Sequence, residues 1–231
     1  MKPFIRPLTV CGVLLCGAAA FGQGQSAPIM NQEPHHQRLT YIRHMRVFLL
    51  TLAPGESTAD YTLDHDGAII SLTGATVQLQ RGGATRDPNT VAPGRSDLGQ
   101  FTGEPVTQRL QNTGTTPLRA IVVENLRDGK WTAPQALTAP GTTLQQENRS
   151  IAVYDMRLNA GTPRTNHAHQ NPTFVFLLSG AVEAQGGGGE FAFPLVQTGT
   201  WWFPGSGPDQ PHTIELAKGS SDAHVICVEA K

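Results

Sequence analysis

The feature that most constrains this chain is an internal repeat. Leu52-Ala53-Pro54-Gly55 is followed 19 residues after its glycine by Gly74, and Leu158-Asn159-Ala160-Gly161 is followed 19 residues after its glycine by Gly180. Both glycine pairs are therefore offset by 106 residues. Downstream, Gln108 to Asn112 leads through a Thr/Gly turn into the apolar run Ala120 to Glu124. In the same way His212 to Leu216 leads through Lys218-Gly219-Ser220-Ser221 into Val225 to Glu229, at an offset of 104 to 105. Three separated landmarks whose offsets agree within two residues describe a duplicated unit, in which each copy must bury an equivalent set of side chains.

Each copy contains short runs of strand type. In the first these are Val47 to Leu52, Ala68 to Leu72, Thr76 to Gln80 and Leu118 to Val123. In the second they are Ile151 to Leu158, Thr173 to Leu178, Phe191 to Val196 and His224 to Val228. Gly and Pro clusters separate them, and 25 Gly with 17 Pro against 15% charged residues suit an all-β chain better than a helical bundle. The reading divides the chain into an arm over 23–43, a first β unit over 44–126, a connection over 127–149 with a strand expected near Ala136 and Leu137, and a second unit over 150–231. His35 and His36 are expected to be an exposed polar pair on the arm.

The first residues read as an export signal. Lys2 and Arg6 precede an apolar run from Leu8 to Phe21, and Ala20-Phe21-Gly22 offers small residues for cleavage after Gly22. This predicts a soluble periplasmic or secreted protein with no stable membrane insertion after processing; an uncleaved anchor is the alternative. Loss of Lys2 and Arg6 leaves 15 basic and 18 acidic side chains, which gives no basic excess for nucleic acid. Cys11 and Cys16 belong to the apolar run, so Cys227 is the one remaining thiol and reads as a buried small hydrophobe. Gly186 to Gly189 reads as a hairpin loop, since no helix or Lys-Ser/Thr follows to make a phosphate cradle.

The candidate chemistry lies in the second unit. His167 and His169 are two apart on a segment leading into the run Thr173 to Leu178, so in extended backbone both side chains leave the same face. His212 follows the turn-rich Phe203 to Pro208, and in a barrel a later strand can place it opposite that pair. Three imidazoles would hold one divalent transition metal (Fe, Mn, Zn, Ni or Cu) and leave coordination positions open for water, a small-molecule substrate or dioxygen. His224 reads as a core-edge residue, and of Trp201 and Trp202 one is expected to line a pocket and the other to pack outside or at an interface, with a homodimer left open.

At these residues the chain resembles the cupin superfamily, whose first motif is G-x5-H-x-H-x3,4-E-x6-G and whose second is G-x5-P-x-G-x2-H-x3-N. Gly161, His167, His169 and Gly180 match the first motif in spacing, with Thr173 in the place of the acid. Gly199, Pro204 and Gly207 stand near the second motif; His212 arrives two residues late and Leu216 replaces the Asn. In the first unit the same template falls on Tyr61, Leu63, Gly67 and Gln108, none of which makes a normal site, although Asn112 keeps the final Asn. Asp64-His65-Asp66 lies beside the template but out of register, as a turn cluster would. The resemblance implies two tandem cupin-type barrels (jelly rolls), with a degenerate first half serving as a structural partner. It implies no single reaction. A dioxygenase acting on a small molecule, a non-catalytic ligand or metal sensor, and a metal-dependent isomerase or lyase all fit, and no catalytic base is identifiable among Asp155, Arg157, Arg164 and Glu183.

Overall fold

The computed structural model describes residues 27–127, 137–164, 166–186, 192–204 and 210–231. Residues 1–26, which include the expected export signal, the Gly187–Gly189 stretch and residues 205–209 lie outside the described residues. Apart from a single 3-10 turn at Met30–Gln32, every regular element described is a β-strand.

Strand Met45–Leu52 shows how the fold is built. Alternate side chains leave opposite faces of a strand: Phe48, Leu50 and Leu52 enter a core confined to the N-terminal half, while Met45 and Val47 enter a second core that both halves share. Strand Ile151–Asn159 divides in the same way. Ala152, Tyr154, Met156 and Leu158 fill the C-terminal barrel, and Ile151 and Val153 face the shared core. An antiparallel sheet commonly leaves one face wet. Here both faces of the central strands are covered, which accounts for their nearly unbroken apolar runs.

The two halves use one strand order. In the N-terminal half the larger sheet runs His36–Ile42, Met45–Leu52, Leu118–Asn125, Gly67–Ser71, Ser96–Gly99; in the C-terminal half it runs Thr142–Glu147, Ile151–Asn159, Asp222–Ala230, Thr173–Gly180, Trp201–Trp202. The registers also agree. Gly67 pairs with Glu124 and Thr173 with Glu229, and the outer strands carry a bulge at Arg38/Thr40 and at Leu144/Gln146. These larger sheets face one another across the shared core, where Ile70, Ile121 and Val123 meet Phe174, Phe176 and Ile226. A smaller sheet closes each barrel: Tyr61–Leu63, Val106–Asn112, Ala75–Arg81 and Ala84–Thr85 in the first half, with Asn89–Val91 on its flank, and Ala192–Leu195, Val182–Gln185 and Thr213–Leu216 in the second.

The structure corrects several expectations. The expected arm over 23–43 does not stand outside the core where it is described, over 27–43, because Met30 is buried beneath the first barrel and His36–Ile42 is the outer strand of its larger sheet. His36 is buried, not exposed; its Nδ1 lies 2.7 Å from Glu33 and its ring stands edge-on to Tyr61. Glu33 supplies the hydrogen-bond partner that makes this burial tolerable. Burial pushes the Glu33 carboxyl up, but hydrogen bonds from His36, His35 and the Ala59 N–H outweigh it and hold the group down at about 2. The stretch 127–149 is likewise not only a connection, since Thr142–Glu147 pairs with Ile151–Asn159. Leu137 is coil packed against the C-terminal core, and Ala136 lies outside the described residues.

Asp66, expected in an exposed turn, is buried where the halves meet. It accepts the N–H groups of Phe101 (2.7 Å) and Thr102 (2.8 Å), the hydroxyl of Ser150, and an ion pair from Arg149 at 3.3 Å. Cys227 is fully buried in the C-terminal barrel, and burial, with Glu229 next, pushes its thiol up to about 12, far from a reactive thiolate.

Candidate metal centre

His167 and His212 are held together by backbone before any side-chain interaction is considered. The His167 N–H donates to the His212 carbonyl at 3.0 Å and the His212 N–H to the His167 carbonyl at 2.8 Å, an antiparallel bridge beside the smaller sheet. Side chains of such directly opposed residues leave the same face a few ångströms apart. His169, two residues on, shares the face with His167. The ring centroids lie 4.2 Å apart for His167 and His212, 4.9 Å for His169 and His212, and 5.4 Å for His167 and His169. One ring nitrogen from each, all within 4.8 Å of one another, could serve as a ligand atom. Nitrogens bound to a common tetrahedral ion would be roughly 3.4 Å apart, so a small inward rotation of the rings completes the site.

The electrostatics fit neutral ligands. His169 is 2% and His212 1% exposed. Burial, followed by the neighbouring imidazoles, lowers His169 to about 2, and burial with His167 lowers His212 to about 3. Both rings are therefore neutral at physiological pH, the form that binds metal. Neither ring nitrogen of His169 has a hydrogen-bond partner among the described residues. A buried polar ring without partners is costly, and a cation would supply the partner that the described residues do not.

The place of the motif acid is informative. Thr173 is buried and shares its face with Val175 and Leu177, so it points into the barrel. Its strand partner is Glu229, which by alternation with Val225 and Cys227 also faces inward and is 2% exposed. Burial lifts the Glu229 carboxyl to about 6, against the hydrogen bond it accepts from the Asn171 N–H at 3.2 Å. The sequence reading missed this residue. The signal was the repeat itself, because Glu124 and Glu229 end equivalent strands of the two halves.

The remaining candidates resolve into other roles. His224 bonds through Nε2 to Asp155 Oδ1 and belongs to the face between the halves. Trp202 lies inside the C-terminal barrel with its ring edge-on to His212 at 4.9 Å, while Trp201 packs on Phe174 in the shared core. In the first half the counterpart of the His167–His212 bridge is Tyr61 paired with Gln108, whose Nε2 donates to the Tyr61 hydroxyl at 2.5 Å. Asp64, His65 and Glu124 form a second group of ligand-type side chains. A cation already stands there: Arg46 is 2.7 Å from Glu124, and His65 turns to Asp64 at 2.7 Å.

No protein-family model and no curated protein matches the chain. Solved structures do share its architecture. A cupin 2 conserved barrel domain protein from Leptotrichia buccalis is 12% identical over 85% of this chain and 88% of its own, with a TM-score of 0.57. Salicylate 1,2-dioxygenase from Pseudaminobacter salicylatoxidans is 12% identical over 84% of this chain and 75% of its own, with a TM-score of 0.61; a single-residue variant of it was solved with gentisate. AerE from Microcystis aeruginosa is 12% identical over 86% and 98% of the two chains, with a TM-score of 0.59. Identities this low speak to fold alone, and the fold they share with this chain is the cupin barrel.

Proposed function

We propose that this cupin-fold chain is an exported protein that holds one divalent transition metal ion on His167, His169 and His212 and acts there on a small organic molecule, oxidative cleavage with dioxygen being the favoured reaction. The observation that carries the reading is His169, a buried imidazole whose two nitrogens have no partner among the described residues and which faces two further histidines. A bound divalent ion with three neutral ligands would supply Lewis acidity and open positions for substrate and dioxygen. The chain supplies the rest. Paired backbone fixes His167 against His212, Trp202 holds the His212 ring edge-on, and burial keeps the His169 and His212 imidazoles unprotonated. Lys2, Arg6 and the run Leu8 to Phe21 support export, with a mature N-terminus near Gln23.

A second reading, a metal-binding or sensor protein without catalysis, draws on one observation. Thr173 stands where the resembled motif has its acid, so that slot adds no formal charge beside the three imidazoles. An oxygen-electrode assay on protein purified from the periplasm and loaded in turn with Fe(II), Mn(II) and Ni(II) separates the two. Oxygen uptake with a hydroxylated aromatic acid or a diketone, lost in His169→Ala, is the expected result. A loaded protein that takes up no oxygen with any member of such a panel would favour the sensor.

A further inference from the structure

The first barrel lacks the histidine triad, yet it too contains a cavity. A cavity of about 240 Å³, partly open to solvent, lies in the N-terminal half and is walled on one side by Leu79, Leu110 and Leu118. An apolar cavity of about 150 Å³ is enough to admit benzene. Arg81 projects into this space, with Arg86 and Arg95 exposed at its rim and Asp87 and Asp97 among its other lining groups.

Arg81 is the group that asks for a ligand. It is partly buried, with its guanidinium 5.2 Å over the Phe101 ring, and no carboxylate lies within ion-pair distance among the described residues. Its Nε and Nη2 both donate to Gln108 Oε1, at 3.0 and 2.8 Å, and Gln108 is turned that way by donating its own Nε2 to Tyr61. Tyr61 and Gln108 occupy the places that His167 and His212 hold in the other half. The pair that would chelate a metal in one barrel orients a guanidinium in the other. A neutral amide oxygen compensates a buried full charge only in part, whereas an anion does so with charge-assisted bonds. Burial and the nearby Arg86 together act against the charged form of Arg81, and Asp97 offsets them in part.

We propose that the N-terminal barrel is a binding site for a small organic monocarboxylate, with its carboxylate on Arg81 and its apolar body against the leucine wall. One guanidinium whose Nη1 side makes no bond among the described residues matches the two oxygens of a carboxylate. The apolar wall gives an inorganic anion nothing to bury. At the rim the exposed Arg86 and Arg95 are balanced by Asp87 and Asp97, so it is Arg81 that leaves the lining with a net positive charge.

The test is titration calorimetry on the mature full-length protein with benzoate, its neutral isostere benzamide and inorganic phosphate. Benzoate should bind with a stoichiometry of one to the wild type and equally to His169→Ala, with benzamide and phosphate at least about tenfold weaker. Arg81→Gln should weaken benzoate by at least about tenfold without changing the far-ultraviolet spectrum. If that variant does not fold, the wild-type comparison of benzoate with benzamide still decides, together with amide shifts mapped to Leu79 and Leu110. Benzoate binding no tighter than benzamide, phosphate competing on equal terms, or binding lost in His169→Ala but kept in Arg81→Gln would each overturn the proposal.

Discussion

Thr173 and Glu229 are strand partners with both side chains inside the C-terminal barrel, one at the place of the motif acid and the other a buried carboxylate directly opposite. The acid absent from the motif is thus matched by one on the neighbouring strand. Thr173→Glu should bring a formal charge toward the three histidines and tighten metal binding by roughly tenfold or more, whereas Thr173→Gln, of equal size, should not. Competition with a chromophoric chelator reads both constants, and equal affinity in the two variants would show that the slot does not reach the ion.

Glu229 also predicts a pH dependence. Its folded value of about 6 lies above the ordinary 4.5 because burial disfavours the carboxylate. A raised value means that the folded state binds the proton more tightly, so this contribution is complete below about 4.5 and is lost as pH rises through 6. Urea titrations of wild type and Glu229→Gln should show the wild type losing roughly 2 kcal/mol relative to the variant across that window. A constant difference from pH 4 to pH 7 would contradict the assignment.

Glu33 should behave in the opposite sense. Its carboxyl is held at about 2, below the ordinary 4.5, by His36, His35 and the Ala59 N–H against the effect of burial. The stabilisation is present above 4.5 and is lost as pH falls through 2, up to about 3 kcal/mol. At neutral pH Glu33→Gln should cost about 2 kcal/mol, because it weakens the bond to a buried imidazole. A neutral substitution would mean that residues 27–43 do not share in the cooperative core.

Asp66 joins the halves through Ser150 and Arg149 while satisfying the Phe101 and Thr102 N–H groups. Its pKa lies below the ordinary value, since these hydrogen bonds outweigh the effect of burial. Asp66→Ala leaves the buried donors unpaired and should cost about 3 kcal/mol. Differential scanning calorimetry should show a lower melting temperature, and an unchanged one would remove Asp66 from the interface.

Much of this organisation could be read from the sequence because it was written as spacing. Equal glycine intervals carried the shared register, and the i, i+2 separation of His167 and His169 carried their common face. The outer strands His36–Ile42 and Thr142–Glu147 were harder to see. They are paired on one side only, so they carry Gln37, Arg38, Gln145 and Gln146 where a central strand is apolar, and they resemble linkers. Glu229 was hidden differently. It ends an apolar run, and only the strand's alternation between shared core and barrel interior shows which way it points. Arg81 gave no signal alone, because its meaning depends on Gln108 arriving from another strand.

The central claim is one metal ion per chain on the three histidines. Elemental analysis of protein purified from its native compartment measures it directly, beside His169→Ala and His65→Ala. The account predicts about one divalent transition metal per chain in the wild type and in His65→Ala, and a site emptied in His169→Ala. Two metals per chain, or one that survives His169→Ala and is lost in His65→Ala, would contradict it.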